Sequence, residues 1–183
     1  TRLCHSKGIV NCVDREEIKI KNYVKDVKKR VTVPAHARNL RIEVEKRLDK
    51  LKEYSNTTEL NFMEINNNEI GIISSGVCYT YAKEVFKDNA SYLKLGFTNP
   101  MPDKKIKEFA NKVKKIYVIE ENDKFIEDQV KAMGIEVIGK DIFPYTGEMT
   151  PDVIRKAIFN ENKETIKYNE DLVVGRPPTL CSG

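Results

Sequence analysis

Apolar positions are densest at residues 70–73, where three isoleucines surround one glycine, and the run stops abruptly at Ser74, Ser75 and Gly76. Val77, Tyr81 and Val85 follow at a spacing of four. This pattern predicts a buried strand over 70–74 that enters a helix over 77–86 through a tight turn. The unit then recurs. Residues 92–95 form a short strand ending at Gly96, and 103–113 a helix with Ile106, Phe109, Ala110 and Val113 on one face. Residues 116–120 read as a strand and 124–133 as a helix carrying Ile126, Val130 and Met133. Gly134 stands where a left-handed cap is needed. Residues 135–138 complete the series as a last strand. Thr150 and Pro151 then open a final helix as N-cap and first helical position.

Short continuous apolar runs alternating with amphipathic helices imply parallel strands covered on both faces. The fold class is therefore α/β. Right-handed crossovers bring every loop that follows a strand to one sheet edge. That edge collects residues 74–76, 98–99, 120–122 and 140–141, and edges of this kind host sites in open α/β sheets.

Upstream, Leu60, Phe62 and Ile65 alternate with Asn61 and Glu64, and three asparagines at 66–68 signal a turn. An antiparallel hairpin between 60–65 and the strand at 70 is expected. Pro34 begins a helix whose apolar stripe is Ala37, Leu40, Val44, Leu48 and Leu51, fading at residues 54–58. Residues 14–30 are charged, with Ile18, Ile20, Tyr23, Val24 and Val27 as anchors, and read as a linker lying on a surface. Residues 1–13 carry little pattern.

Composition adjusts this picture in two ways. The chain has 183 residues, 40% hydrophobic and 33% charged, enough for one ordinary domain with a solvated appendage. Its formal charge of +4 is local: residues 14–53 hold 13 Lys/Arg and 8 Asp/Glu, a surplus of +5, which leaves −1 for the rest. Only Tyr23 among the aromatics falls within that basic stretch, so it reads as a solvated face and not a nucleic-acid surface. No stretch reaches transmembrane length and no signal-peptide pattern opens the chain. The four cysteines, Cys4, Cys12, Cys78 and Cys181, lack any CxxC spacing. A zinc site is not expected, and the compartment reads as reducing and cytoplasmic. Cys78 reads as a small buried hydrophobe.

Candidate chemistry is sparse. Ser74, Ser75 and Gly76 at a strand-to-helix turn offer backbone N–H groups to an anion. Neither GxGxxG nor GxxxxGKS is present, and any such turn needs small residues, so the structural reading is favoured. Glu120 and Glu121 are adjacent, hence oppositely directed on a strand, and helix capping suits one of them better than an acid/base pair. With Thr98, Glu121 completes a candidate anion or partner edge of Ser74, Ser75, Gly76, Thr98 and Glu121. His5 and His36 are isolated, and no catalytic triad can be assembled. Residues 175–183 form a stiff extended tail. The first residue is Thr1, and the last phrase, 180–183, stops short; both ends read as cut from something longer.

Several phrases taken together resemble one family. They are residues 70–79 (IGIISSGVCY), 93–102 (LKLGFTNPMP), 117–121 (YVIEE), 129–135 (QVKAMGI) and 175–183 (GRPPTLCSG). In order and spacing they resemble the large (alpha) subunit of indolepyruvate ferredoxin oxidoreductase, over nearly the whole chain. The resemblance implies a domain like the C-terminal domain of transketolase at residues 59–160. Its sheet would be three-layered α/β/α, about five-stranded, mostly parallel with one antiparallel strand. Residues 1–13 would end a pyrimidine-binding domain, 14–58 would be a linker with one helix, and 161–183 would lead to a cofactor-binding domain.

The same resemblance implies an intact enzyme that uses thiamine diphosphate, Mg²⁺ and 4Fe-4S clusters. That enzyme oxidatively decarboxylates aryl pyruvates to aryl-acetyl-CoA, with a smaller (beta) subunit and ferredoxin as partners. This chain is expected to be a non-catalytic structural and dimerisation domain, binding no cofactor by itself and inactive alone. By resemblance, Arg2 and His5 would hold the substrate carboxylate through an RxxH phrase. Cys181 would begin a CxGC cluster-ligand phrase whose second cysteine is missing here. Two alternatives stay open: another 2-oxoacid oxidoreductase or E1-type subunit, and a stand-alone α/β module for a phosphate or nucleotide.

Overall fold

The computed structural model describes residues 9–162, 164 and 169. The chain divides into two units, residues 1–30 with 164–183, and residues 31–163. In the first unit, residues 9–26 form neither helix nor strand, and helix α1 (Val27–Arg30) is a single turn. Its apolar side chains are solvated, from Ile9 to Val27. The anchors that the sequence offers thus find no core among the described residues of their own unit. The extended tail expected at 175–183 lies outside the described residues, and the linker expected at 161–183 almost wholly so.

The second unit opens with α2 (Pro34–Thr57), which starts at a proline in its first turn as expected. A four-stranded sheet follows: β1 (Asn61–Glu64), β2 (Ile70–Ser75), β3 (Ser91–Leu95) and β4 (Lys115–Ile119). The intervening helices are α3 (Val77–Phe86), α4 (Asp103–Ala110), α5 (Phe125–Ala132) and α6 (Pro151–Phe159). Strand order is β1-β3-β2-β4. β2 pairs parallel with both β3 and β4, in registers that set Ile72 against Tyr92 and Tyr117.

Two apolar clusters sandwich the sheet. Ile72, Tyr92, Tyr117 and Ile119 pack with Cys78, Ala82 and Phe86 of α3 and Ile154 of α6. On the other face, Ile73, Leu93, Leu95, Ile116 and Val118 pack with Ile106 and Phe109 of α4 and Ile126 and Val130 of α5. Adjacent residues of one strand serve opposite clusters because side chains alternate across a sheet. The result is the expected mostly parallel, three-layer α/β/α fold with one antiparallel strand.

Three details differ from expectation. The hairpin does not form: β1 pairs antiparallel with β3, not β2, setting Phe62 against Lys94. Both edges of β2 are already occupied by parallel neighbours, so the antiparallel strand takes the free side of β3. The asparagine turn bridges that gap, since the N–H groups of Asn66 and Asn67 donate to Ser91 Oγ at 3.0 and 3.1 Å. The last expected strand shrinks to a single bridge of Ile138 with Tyr117, so the sheet has four strands where about five are expected. The chain turns away directly afterwards, where Ile142 and Phe143 donate N–H to Gly139 O. Finally, the stripe on α2 is only partly covered: Ala37, Leu40 and Val44 are half-buried, while Leu48 is 37% and Leu51 38% exposed. The C-terminal part of α2 is held to α4 instead by polar groups: Asn56 with Asp103, and Lys104 with Glu53.

Candidate functional site

The sheet order places a change of winding between β2 and β4, because the chain moves from β2 to one side with β3 and to the other with β4. Crevices in open α/β sheets form at such points, outside the carboxyl ends of the strands. β2 brings Ser74 and Ser75 to this edge, β4 brings Glu120 and Glu121, and the segment after the Ile138 bridge brings Lys140.

Glu120 is buried at the end of β4, and its carboxylate closes the head of α5. Oε2 accepts from Ile126 N–H at 2.8 Å and Oε1 from Glu127 N–H at 3.0 Å. Burial pushes its carboxyl up from the ordinary value, against the pull of these two N–H groups and of Lys140. A carboxylate at a helix N-terminus also meets the positive end of the dipole. Lys140 is itself buried and donates its ammonium to Glu120 O at 2.7 Å and Pro144 O at 3.0 Å.

Glu127 is fully buried in the first turn of α5. Its oxygens accept from Lys131 Nζ at 2.6 Å and from Lys140 N–H at 2.7 Å, with Lys124 Nζ at 3.4 Å. Burial acts to raise its carboxyl, but the Lys131 hydrogen bond, the Lys140 N–H and the two lysine charges outweigh it, and the net shift is downward. Gly139 is required here: a Cβ at that position would lie 2.3 Å from Glu127 Oε2. The ammonium groups of Lys124 and Lys140 also stand 6.0 and 5.7 Å from the centre of the Tyr145 ring.

The anion or partner edge proposed from sequence divides across this geometry. Ser74 is buried, whereas Ser75 Oγ donates to Leu95 O at 2.7 Å and ties β2 to β3. Gly76 has φ +57 and is exposed. Glu121 is exposed, and its Oε1 accepts from Met149 N–H at 3.2 Å. Thr98 is half-buried and follows β3, on the opposite side of β2 from β4, so it does not share the crevice with Glu121. Arg2, His5 and Cys181 lie outside the described residues. His36 Nδ1 lies 3.0 Å from Val31 O, a local backbone contact. Sequence reasoning placed Lys140 at this edge without its burial, and missed Glu127. The signal available for Glu127 was its placement between Lys124 and Lys131, at helical spacing on both sides.

Cys78 is buried as expected, and its thiol is pushed up to about 11, first by burial and then by the Glu121 charge. Among the described residues no group of three or more His, Cys, Asp or Glu could hold a metal ion. Cys12 and Cys78, the two described cysteines, are free, and two thiolates fall short of the four ligands that hold an iron–sulfur cluster. No helix among the described residues is long and apolar enough to cross a membrane.

Curated relatives settle the family. A protein of Archaeoglobus fulgidus named indolepyruvate oxidoreductase subunit IorA is 36% identical over 76% of this chain. Relatives of the same name from Methanothermobacter marburgensis and Pyrococcus horikoshii are 32% and 31% identical over 100% and 99% of it. The chain belongs to the indolepyruvate oxidoreductase IorA family. It spans 32% of the length of the latter two relatives and 23% of the first. No family model and no solved structure matches it. Against the IorA background, the crevice is a place where buried charges are satisfied by the chain's own groups.

Proposed function

We propose that this chain is a non-catalytic structural and dimerisation domain of an indolepyruvate:ferredoxin oxidoreductase. The observation that carries the reading is the alignment of the whole chain to about a third of the IorA relatives. In the intact enzyme, aryl pyruvates are oxidatively decarboxylated to aryl-acetyl-CoA, and electrons pass through 4Fe-4S clusters to ferredoxin. Thiamine diphosphate and Mg²⁺ supply the decarboxylation chemistry and bind elsewhere in the polypeptide. The smaller subunit is the partner, Arg2 and His5 hold the substrate carboxylate, and Cys181 begins a cluster-ligand phrase. Residues 59–160 buttress the cofactor domains. The self-satisfied network of Glu120, Glu127 and Lys140 supports this role, since it stiffens a sheet edge without leaving a reactive group poised.

Two measurements test the reading. Titration of the chain with thiamine diphosphate and Mg²⁺ in a calorimeter should give no binding heat, and clear saturable heat would relocate the cofactor site into it. The full-length subunit, with its smaller partner, CoA and ferredoxin, should turn over indolepyruvate in preference to pyruvate. Arg2→Lys in that protein should lower kcat/KM for indolepyruvate without disturbing cofactor binding, because a lysine keeps the charge but loses the two-pronged geometry. Preference for pyruvate would assign the chain to another 2-oxoacid oxidoreductase.

A further inference from the structure

The helices that pack on the sheet do not all begin alike. Asn56 Oδ1 accepts from Lys104 and Lys105 N–H at the head of α4, at 2.9 and 3.2 Å. Glu120 does the same for α5, and Thr150 Oγ1 accepts from Val153 N–H at the head of α6, at 3.3 Å. α3 has no such group. Gly76 stands at its N-cap without a side chain, and a Cβ there would meet nothing within 4 Å. The first N–H groups of a helix have no partner within the helix and carry its positive end. That feature alone would mean little, because solvent can satisfy an exposed helix head.

A second observation points the same way. Ser74 Oγ is fully buried and is the one buried side-chain polar atom among the described residues without a hydrogen-bond partner. Buried hydroxyls are normally satisfied, so this one calls for an explanation. Its direction follows from the pleat. Ile72 packs toward α3 and Ile73 toward α4 and α5, so Ser74 returns to the α3 side, two residues before Gly76. It lies opposite Ile119, beside the change of winding between β2 and β4.

We propose that the head of α3 binds a single phosphoryl group, held by the N–H groups of Gly76, Val77 and Cys78, with the Ser74 hydroxyl as a further donor from beneath. Three fixed charges act on this place, as their influence on Cys78 shows: Glu121 and, more weakly, Glu120 favour the neutral thiol, and Lys140 the thiolate. The carboxylates of Glu121 and Glu120 oppose accumulation of negative charge, which favours a single phosphoryl group over a polyphosphate chain. The inference is independent of the oxidoreductase reading, and neither falls with the other.

The test uses the 183-residue chain labelled with ¹⁵N, at an ionic strength fixed with sodium chloride. Inorganic phosphate and glycerol 3-phosphate are titrated separately to distinguish free phosphate from a monoester, with acetate as the carboxylate control. Saturable shifts confined to the amides of residues 76–79 are expected with at least one phosphoryl compound and not with acetate. Ser74→Ala should weaken binding roughly tenfold, the range of one hydrogen bond to a charged group. Val77→Asp, which sets a carboxylate into the first turn, should abolish binding while raising the thermal midpoint. Shifts that never saturate, that scatter over surface lysines, or that match those given by acetate would overturn the proposal. So would a Ser74→Ala protein that binds as the parent does. If Ser74→Ala does not fold, Val77→Asp decides: undiminished binding by that variant overturns the site.

Discussion

The heads of α3 and α5 face the same sheet edge and are finished in opposite ways. At α5 the chain supplies its own anion: Glu120 turns in from the strand end, and two backbone N–H groups close on it. Lys140 and Glu127 then lock the neighbouring loop to the helix. At α3 the turn is two serines and a glycine, no side chain caps the helix, and a buried hydroxyl is left unpaired. The difference teaches that the common strand-to-helix geometry does not decide whether an edge is structural or receptive. What decides it is whether a carboxylate from the same chain already fills the helix head, because the favourable electrostatics of that position can be used only once.

The comparison is broken most severely by removing Glu127. Glu127→Ala leaves the buried Lys140 N–H without its acceptor, while the Lys131 ammonium, 40% exposed, turns to solvent. An orphaned buried donor costs about 1–3 kcal/mol, and the cavity left by the side chain adds to it, to be read from the urea midpoint. Ser75→Ala, by contrast, removes one half-exposed hydroxyl bond at the α3 head and should cost about 1 kcal/mol. Equal losses at the two places would mean that the α5 head is no more tightly closed than the α3 head.

Much of this architecture was legible in the chain, and the reasons are physical. The strands β2, β3 and β4 announce themselves because parallel strands covered on both faces need uninterrupted apolar runs. Thr150 was legible as a cap, and Gly134, at φ +79, as a left-handed stop. The partner of β1 was not legible, since the pairing depends on β2 being central, a property of the whole sheet and not of the turn at 66–68. Nor could sequence tell which of two adjacent glutamates turns inward: Glu120 closes α5, while Glu121 stays out in solvent and meets Met149. The burial of Lys140 and Glu127 was not legible, because burial of a charge is decided by tertiary neighbours. The stripe on α2 was read correctly as apolar, but periodicity does not say what covers it.

Glu120→Ala sharpens the comparison at smaller size. It opens the α5 head to resemble α3 and should cost about 1–2 kcal/mol at neutral pH, the usual range for a lost N-terminal cap. The pH dependence separates the two glutamates. Glu127 is held below its ordinary value, so its contribution is present above the unfolded value of 4.5 and is lost as pH falls through the folded one. Glu120 is pushed above that value, so its protonation favours the folded state at low pH, and that contribution is lost as pH rises through the folded value. Between pH 7 and pH 4, the penalty of Glu127→Ala should therefore shrink and that of Glu120→Ala should grow. Urea midpoints at the two pH values check both, and parallel changes would remove the assigned asymmetry.

The smallest effect is expected at Cys78, which sits in the first turn of α3 between the two halves of the comparison. Its thiol is 3% exposed and titrates at about 11, above the ordinary value of 9.0, chiefly because burial penalises the thiolate. The thiolate is the reactive form, so both burial and protonation should protect it. A protein in which Cys4, Cys12 and Cys181 are replaced by serine isolates Cys78 as the single thiol. Iodoacetamide at pH 8 should leave that thiol unmodified in the folded chain and alkylate it readily in urea. The raised value gives stability no pH dependence around neutrality, where the thiol is protonated in both states. Its contribution is present below the unfolded value and is lost as pH rises from about 9 toward 11. Fast alkylation of the folded protein at pH 8 would mean that the head of α3 opens to solvent far more than Glu120 permits at α5. The contrast between the two helix heads would then extend to their motion as well as their caps.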